Sequence, residues 1–194
     1  MTPDTEDPQA LMAALARGDR AALGRIVALY GPGVQRYAAQ ILRNPAEAED
    51  IAQEVFLRLW RHAGRYDPAL GPPAAWIWRI ARNLCLDRTR RQGWRRFLGL
   101  EAAPEPADET PGAEAALDAR QRLARLSAAM AELPERQRAA LTMRAAGGLS
   151  TAEIAAAMGI GAGATEQLLV RARAGLRARL GPDFARGGED DPKE

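Results

Sequence analysis

The chain has 194 residues, 47% of them hydrophobic and 27% charged, which suits one or two small domains. Lysine plus arginine number 27 against 25 acids, so a formal net charge of +2 says nothing for or against nucleic acid. One cysteine, Cys85, and one histidine, His62, exclude an internal disulfide and argue against a Cys/His metal cluster, so neither metal nor cofactor is expected.

Lys193 is the sole lysine. Arginine's planar fork suits phosphate and base edges, although a general bias toward arginine and alanine accounts for most of this preference. The start carries Asp4, Glu6 and Asp7 with no basic, then apolar, leader. No apolar run is long enough to span a bilayer. These features predict a cytoplasmic protein.

Helical spacing begins at Asp7, placed to cap a helix with Pro8 in its first turn. Leu11 and Leu15, then Leu23, Ile26, Val27 and Tyr30, recur at helical intervals. Gly18-Asp19 predicts a break, and Gly31-Pro32-Gly33 an interruption or kink before Val34, Tyr37, Ile41 and Leu42. Asn44, Pro45 and Glu47 read as the cap and first turn of the next helix. In it Ile51, Val55, Phe56 and Leu59 form one apolar stripe. Asp50, Gln53, Glu54 and Leu57 lie on a second, partly acidic surface, which periodicity alone reads equally well as solvated.

From Ala63 to Pro73 the composition is that of a loop. A further helix turns Ile77, Ile80, Leu84 and Cys85 toward a core, and spreads Arg79, Arg82, Asn83, Asp87, Arg88, Arg90 and Arg91 over its remaining surface. Between Arg79 and Arg96 seven arginines meet one acid, so placement carries more information than the total.

The stretch Leu100 to Gly112, LEAAPEPADETPG, has three prolines, four acids and no aromatic residue. It reads as a flexible linker. The expected organisation is therefore all-α: a helical domain over 8–97, an acidic Pro-rich linker over 98–112, a second helical domain over 113–180, and a disordered acidic tail over 181–194.

The second domain contains LSTAEIAAAMGIGAGATEQLLVRARAGLRARL, from Leu149 to Leu180. Ser150 and Glu153 form a capping box. Ile154, Ala157 and Met158 pack a short helix, Gly159 permits the turn, and Ile160 fills the gap before a helix starting near Ala162. This is helix-turn-helix spacing. Thr165, Glu166 and Gln167 are the candidate base readers near the helix start, and Arg171, Arg173 and Arg177 the candidate phosphate contacts.

Three segments in this order, AEDIAQEVFLRLWRH, WIWRIARNLCLDRTRR and LPERQRAALTMRAAGGLSTAEIAAAMGI with its following ATEQLLVRARAGLRARL, resemble a bacterial RNA polymerase sigma factor of the extracytoplasmic-function (ECF) group. The resemblance covers residues 20–180. It implies a region 2 domain that clasps the polymerase clamp, with Asp50, Gln53, Glu54, Leu57 and Trp60 as contacts. It places His62, Arg65, Tyr66, Arg79, Arg82, Asn83, Arg88 and Arg91 beside the opened -10 element. A region 4 domain would read the -35 element through Thr165, Glu166, Gln167, Arg171, Arg173 and Arg177. The implied partners are core RNA polymerase, promoter DNA and a cognate anti-sigma factor, and the acidic linker would run along the RNA exit side. Two departures are visible: the family often has serine where Gly161 stands and valine where Thr165 stands.

A stand-alone helix-turn-helix regulator is the alternative, which would need no clamp-binding surface. A purely structural helical protein comes third. An enzyme has little support, because no nucleophile–His–acid set surrounds the single histidine.

Overall fold

Side chains with an acceptor oxygen start the first three helices. In the computed structural model, which describes residues 7–97 and 114–181, Asp7 accepts from the Gln9 amide at 3.0 Å and starts α1 (Pro8–Ala16). Asp19 accepts from Ala21 at 2.8 Å and starts α2 (Arg20–Leu42). Asn44 accepts from Ala46 and Glu47 and starts α3 (Pro45–His62). Each such cap is worth about 1 kcal/mol. Then come two short 3-10 turns, Ala63–Arg65 and Pro68–Leu70, and α4 (Pro73–Phe97). The second half consists of α5 (Glu114–Ala131), α6 (Glu135–Gly147), α7 (Thr151–Met158) and α8 (Ala162–Leu180). The described residues contain no strand. The expected linker over 98–112, and the expected tail beyond Gly181, lie outside the described residues.

Of the interruption or kink expected at Gly31-Pro32-Gly33, the interruption does not form, and α2 runs through Pro32 as one helix. An interior proline costs about 3 kcal/mol through its lost donor and its ring. Here the burial of Ile26 before it, and of Val34, Tyr37, Ala38 and Ile41 after it, outweighs that cost. The helix ends where Arg43 takes a left-handed conformation, φ 57°, and its amide donates to the Ala39 carbonyl at 2.9 Å.

Each helical block has its own apolar positions, and the largest apolar cluster joins the two. It joins Ile26, Tyr37, Val55, Leu59, Ile77 and Trp78 of the first half to Met143, Leu149, Ile154, Met158 and Leu169 of the second. α4 packs on α7, and α2 packs on α6. A smaller cluster of Met130, Leu133 and Ala172 holds α5 to α8. The physical reason lies in α6 and α7, which are short and alanine-rich. Their small side chains let α2 and α4 approach closely, so the apolar positions of α6 and α7 are covered by the first half.

Candidate functional site

α2 and α3 run side by side and leave an apolar groove of about 960 Å³ between them. Burial of Ile51, Val55, Phe56 and Leu59 fixes the rotation of α3. That rotation turns Gln53, Leu57 and Trp60 into the groove wall. Of the expected polymerase contacts, these three come together, and Leu57 is 42% exposed. Asp50 and Glu54 do not line the groove. Asp50 is exposed, and Glu54 accepts from Arg58 at 2.7 Å in an i,i+4 ion pair. The opposite wall, built by Leu23, Val27 and Gly31 of α2, was read from the sequence as core or breaker. Val27 is 37% exposed while Ile26 beside it is buried, so the apolar positions of α2 spread over a wider face than one core stripe needs, which a face count could have caught.

The basic face of α4 is anchored by its buried one. Ile77, Trp78, Ala81, Leu84 and Cys85 point inward, so Arg79, Asn83 and Arg91 are left exposed and Arg82 half-buried. Of the two neighbouring tryptophans, Trp78 belongs to the core, 1% exposed and edge-on to Tyr37 with ring centroids 5.4 Å apart. Arg88 is drawn back toward α3 by an ion pair with Glu47 at 3.6 Å. Burial pushes the Cys85 thiol up to about 12.

Before α4, the 3-10 turns fold the segment after His62 against the helix. The Tyr66 hydroxyl donates to the Gly71 carbonyl at 3.0 Å, and its ring lies 5.6 Å from that of Trp76. Arg65, Tyr66, Trp76 and Arg79 thus surround a cavity of about 30 Å³. That volume holds about one or two waters and no nucleobase, and the exposed face of Tyr66 is already partly covered by Trp76. His62 is exposed at the end of α3.

The helix-turn-helix forms as its spacing predicts. The Ser150 hydroxyl accepts from the Glu153 amide at 3.2 Å, and the Glu153 carboxylate accepts from the Ser150 amide at 2.8 Å. Gly159 turns at φ 66°, and α8 starts one residue after Gly161. Thr165, Leu169 and Ala172 are the buried face of α8. Thr165 is therefore corrected: it is 0% exposed and its hydroxyl donates to the Gly161 carbonyl at 3.1 Å, so it cannot meet a base. Glu166, Gln167, Arg171, Arg173 and Arg177 are all exposed. Val170, which periodicity did not single out, stands among them, 55% exposed. It shares one helical stripe with Glu166, Arg173 and Arg177.

Among the described residues no group of three or more His, Cys, Asp or Glu is placed to hold a metal ion, and no helix is long and apolar enough to cross a membrane. Residues 26–95 match the family Sigma-70 region 2, and residues 123–176 match Sigma-70, region 4. The chain is 32% identical over 190 residues to RNA polymerase sigma factor CnrH of Cupriavidus metallidurans, covering 94% of this chain and 98% of that one. It is 35% identical over 147 residues to ECF RNA polymerase sigma factor SigL of Mycobacterium tuberculosis, covering 75% and 81%. The solved structure of CnrH with the cytosolic domain of CnrY superposes with a TM-score of 0.69 at 27% identity, over 89% of this chain and 96% of that one. With both regions matched in order and one relative aligned almost end to end, the chain belongs to the ECF RNA polymerase sigma factors.

Proposed function

We propose that this sigma factor docks on core RNA polymerase through the α2–α3 groove, captures the opened -10 strand along α4, and reads the -35 duplex with α8. The groove carries the reading. Gln53, Leu57 and Trp60 meet Leu23 and Val27 there in an apolar cleft that leaves Val27 and Leu57 exposed. A stand-alone duplex reader has no use for such a cleft. An apolar trough rimmed by polar side chains fits an amphipathic helical element of a larger partner. Glu49 and Arg20, both in the groove lining, add charges of opposite sign that a partner of complementary charge would match.

On α4, Arg79, Arg82 and Asn83 present donors to a strand whose bases have been unstacked, and each capture offsets part of the few kcal/mol of opening. On α8 the exposed polar and basic side chains divide between bases and phosphates. Gln167 and Glu166 sit near the helix start, where major-groove helices meet base edges, and Arg171, Arg173 and Arg177 follow toward the backbone. Ala162, Gly163 and Ala164 are exposed and small, so a phosphate can approach the first-turn amides.

The protein acts by binding and strand capture, without bond chemistry of its own, in the cytoplasm where polymerase and promoters meet. An anti-sigma partner is part of the same reading, since the CnrH relative was solved with a domain of CnrY. The test is reconstitution. Core polymerase plus this chain should initiate at a defined subset of a promoter library, and core alone should not. Random initiation in the presence of the chain would overturn the reading.

A further inference from the structure

α4 outruns the core that holds it. Its buried side chains end with Leu84 and Cys85, and among the described side chains none further along the helix is buried. The helix nevertheless continues to Phe97, about 18 Å beyond Cys85 at about 1.5 Å per residue. The Thr89 hydroxyl donates back to the Cys85 carbonyl at 2.8 Å, a bond that lets a helix bend. Past that point Glu47 of α3 ties the helix down. One of its carboxylate oxygens lies 3.6 Å from the Arg88 guanidinium, and the other accepts from the Gln92 side-chain amide. Arg88 and Gln92 are one turn apart and share a side of α4. Glu47 sits where the acid of a capping box would, yet both oxygens turn to α4, and its side chain is only 23% exposed.

We propose that Glu47 is a positioning residue for strand capture: by holding the back of α4 against α3, it keeps the front of the helix's far half in line with Arg79 and Asn83. At about 100° per residue, Arg88 comes round about 180° from Arg79, whereas Arg90 returns to within about 20° of it. Arg88 is thus the anchor, and exposed Arg90 is the side chain whose place the anchor fixes. A strand lying along α4 meets Arg79, Asn83 and Arg90 in one stripe only while the far half stays straight. Without the tie, a phosphate contact at Arg90 carries the added cost of ordering the helix end. Simple electrostatics gives the opposite sign: an acid beside a basic face repels phosphate, so loss of its charge alone would tighten binding. The role rests on the proposed capture of the opened strand by α4.

The test uses holoenzyme assembled with the chain in saturating amount, and a labelled single-stranded oligonucleotide carrying the -10 segment, titrated over a range of salt. Loss of one phosphate contact flattens the plot of log affinity against log salt by about 0.7, which at about 0.15 M is about a fourfold loss. Glu47→Ala should show both, and Arg90→Gln in the parent should match it. Arg90→Gln added to Glu47→Ala should weaken binding no further, because that contact is already gone. Glu47→Gln keeps a carbonyl oxygen for Gln92 and Arg88, and should bind within about twofold of the parent. Glu47→Ala binding more tightly, with a steeper slope, would make Glu47 a screening charge and overturn the role. An unchanged slope would also overturn it, even with a lowered melting temperature, which would mark a stabilising contact only. A full further loss on adding Arg90→Gln would do the same. A parent holoenzyme that held the oligonucleotide no better than core alone would overturn strand capture by α4, and the role of Glu47 with it; the other outcomes leave capture standing.

Discussion

Leu57 offers the most direct measurement of the groove. Full burial of a leucine side chain stabilises by about 1.5–3 kcal/mol. Leu57 remains 42% exposed in the free chain, so covering it in a complex leaves roughly 0.6–1.3 kcal/mol to gain. Leu57→Ala keeps the Cβ and forfeits most of that, which predicts a two- to fivefold weaker complex with core polymerase, or about 0.5–1 kcal/mol. Leu57→Asp does more, because it strands an unpaired carboxylate in a water-excluding contact at a further cost of several kcal/mol. About a hundredfold loss is expected. The free protein should barely notice either change, since an exposed substitution usually stays within about 0.5 kcal/mol. Titration of fluorescently labelled polymerase, with thermal melts of each variant alongside, reads both quantities. Leu57→Asp binding core within threefold of the parent, with its melt unchanged, would refute the docking of this groove.

On α8, Gln167→Ala should flatten base preference at the -35 element while Arg173→Ala weakens all duplexes alike; equal, sequence-independent losses for both would reject the division. Val170→Asn removes an exposed apolar contact suited to a thymine methyl, and promoter selection with this variant should shift at one position, whereas unchanged selection would take Val170 off the reading face. Gly159→Ala forces a Cβ into φ 66° and should lower unfolding stability by about 1–2 kcal/mol by denaturant titration. Cys85 titrates near 9 when unfolded and is pushed up to about 12 by burial. The folded thiol therefore keeps its proton longer, its contribution is complete below pH 9, and stability should fall by up to about 1.4 kcal/mol per pH unit as pH rises toward 12. In Cys85→Ala the onset of that slope just above pH 9 should vanish, and a slope that stayed would assign it elsewhere.

Much of this molecule was legible because its cues are local. Asn44, Asp19 and the Ser150–Glu153 pair announce helix starts through hydrogen bonds that span two or three residues, and the structure places a helix after each. The apolar stripe of α3 likewise read correctly, because burial of Ile51, Val55, Phe56 and Leu59 depends only on helical rotation. Partnership between faces was not legible. Periodicity marks Ile154 and Met158 as buried, but says nothing of whether α8 or α4 covers them, and much of that cover comes from α4. The same gap hid the α2 wall of the groove, since Leu23 and Val27 satisfy a core pattern and a docking pattern equally well. Pro32 leaves interruption and kink both open for a related reason: a local penalty says nothing of the long-range burial that outweighs it.

Gly161 shows how a departure visible in sequence acquires its meaning only in three dimensions. Its backbone, φ −74° and ψ 156°, is that of an N-cap, yet no side chain caps α8. The Thr165 hydroxyl does not fill the vacancy, because it donates to the Gly161 carbonyl, a group that already accepts from the Thr165 amide at 3.0 Å. The donors of the first turn are left facing outward beside exposed Ala162, Gly163 and Ala164, which is the arrangement that holds a phosphate. Gly161→Ser supplies the missing acceptor. It should raise stability by only a few tenths of a kcal/mol, but it would occupy an amide that the duplex backbone otherwise uses. Affinity for a -35 duplex should then fall about two- to fivefold, the loss of one ordinary hydrogen bond of about 0.5–1 kcal/mol. Serine raising stability and affinity together would mean that the helix start needs ordering more than DNA needs its amides.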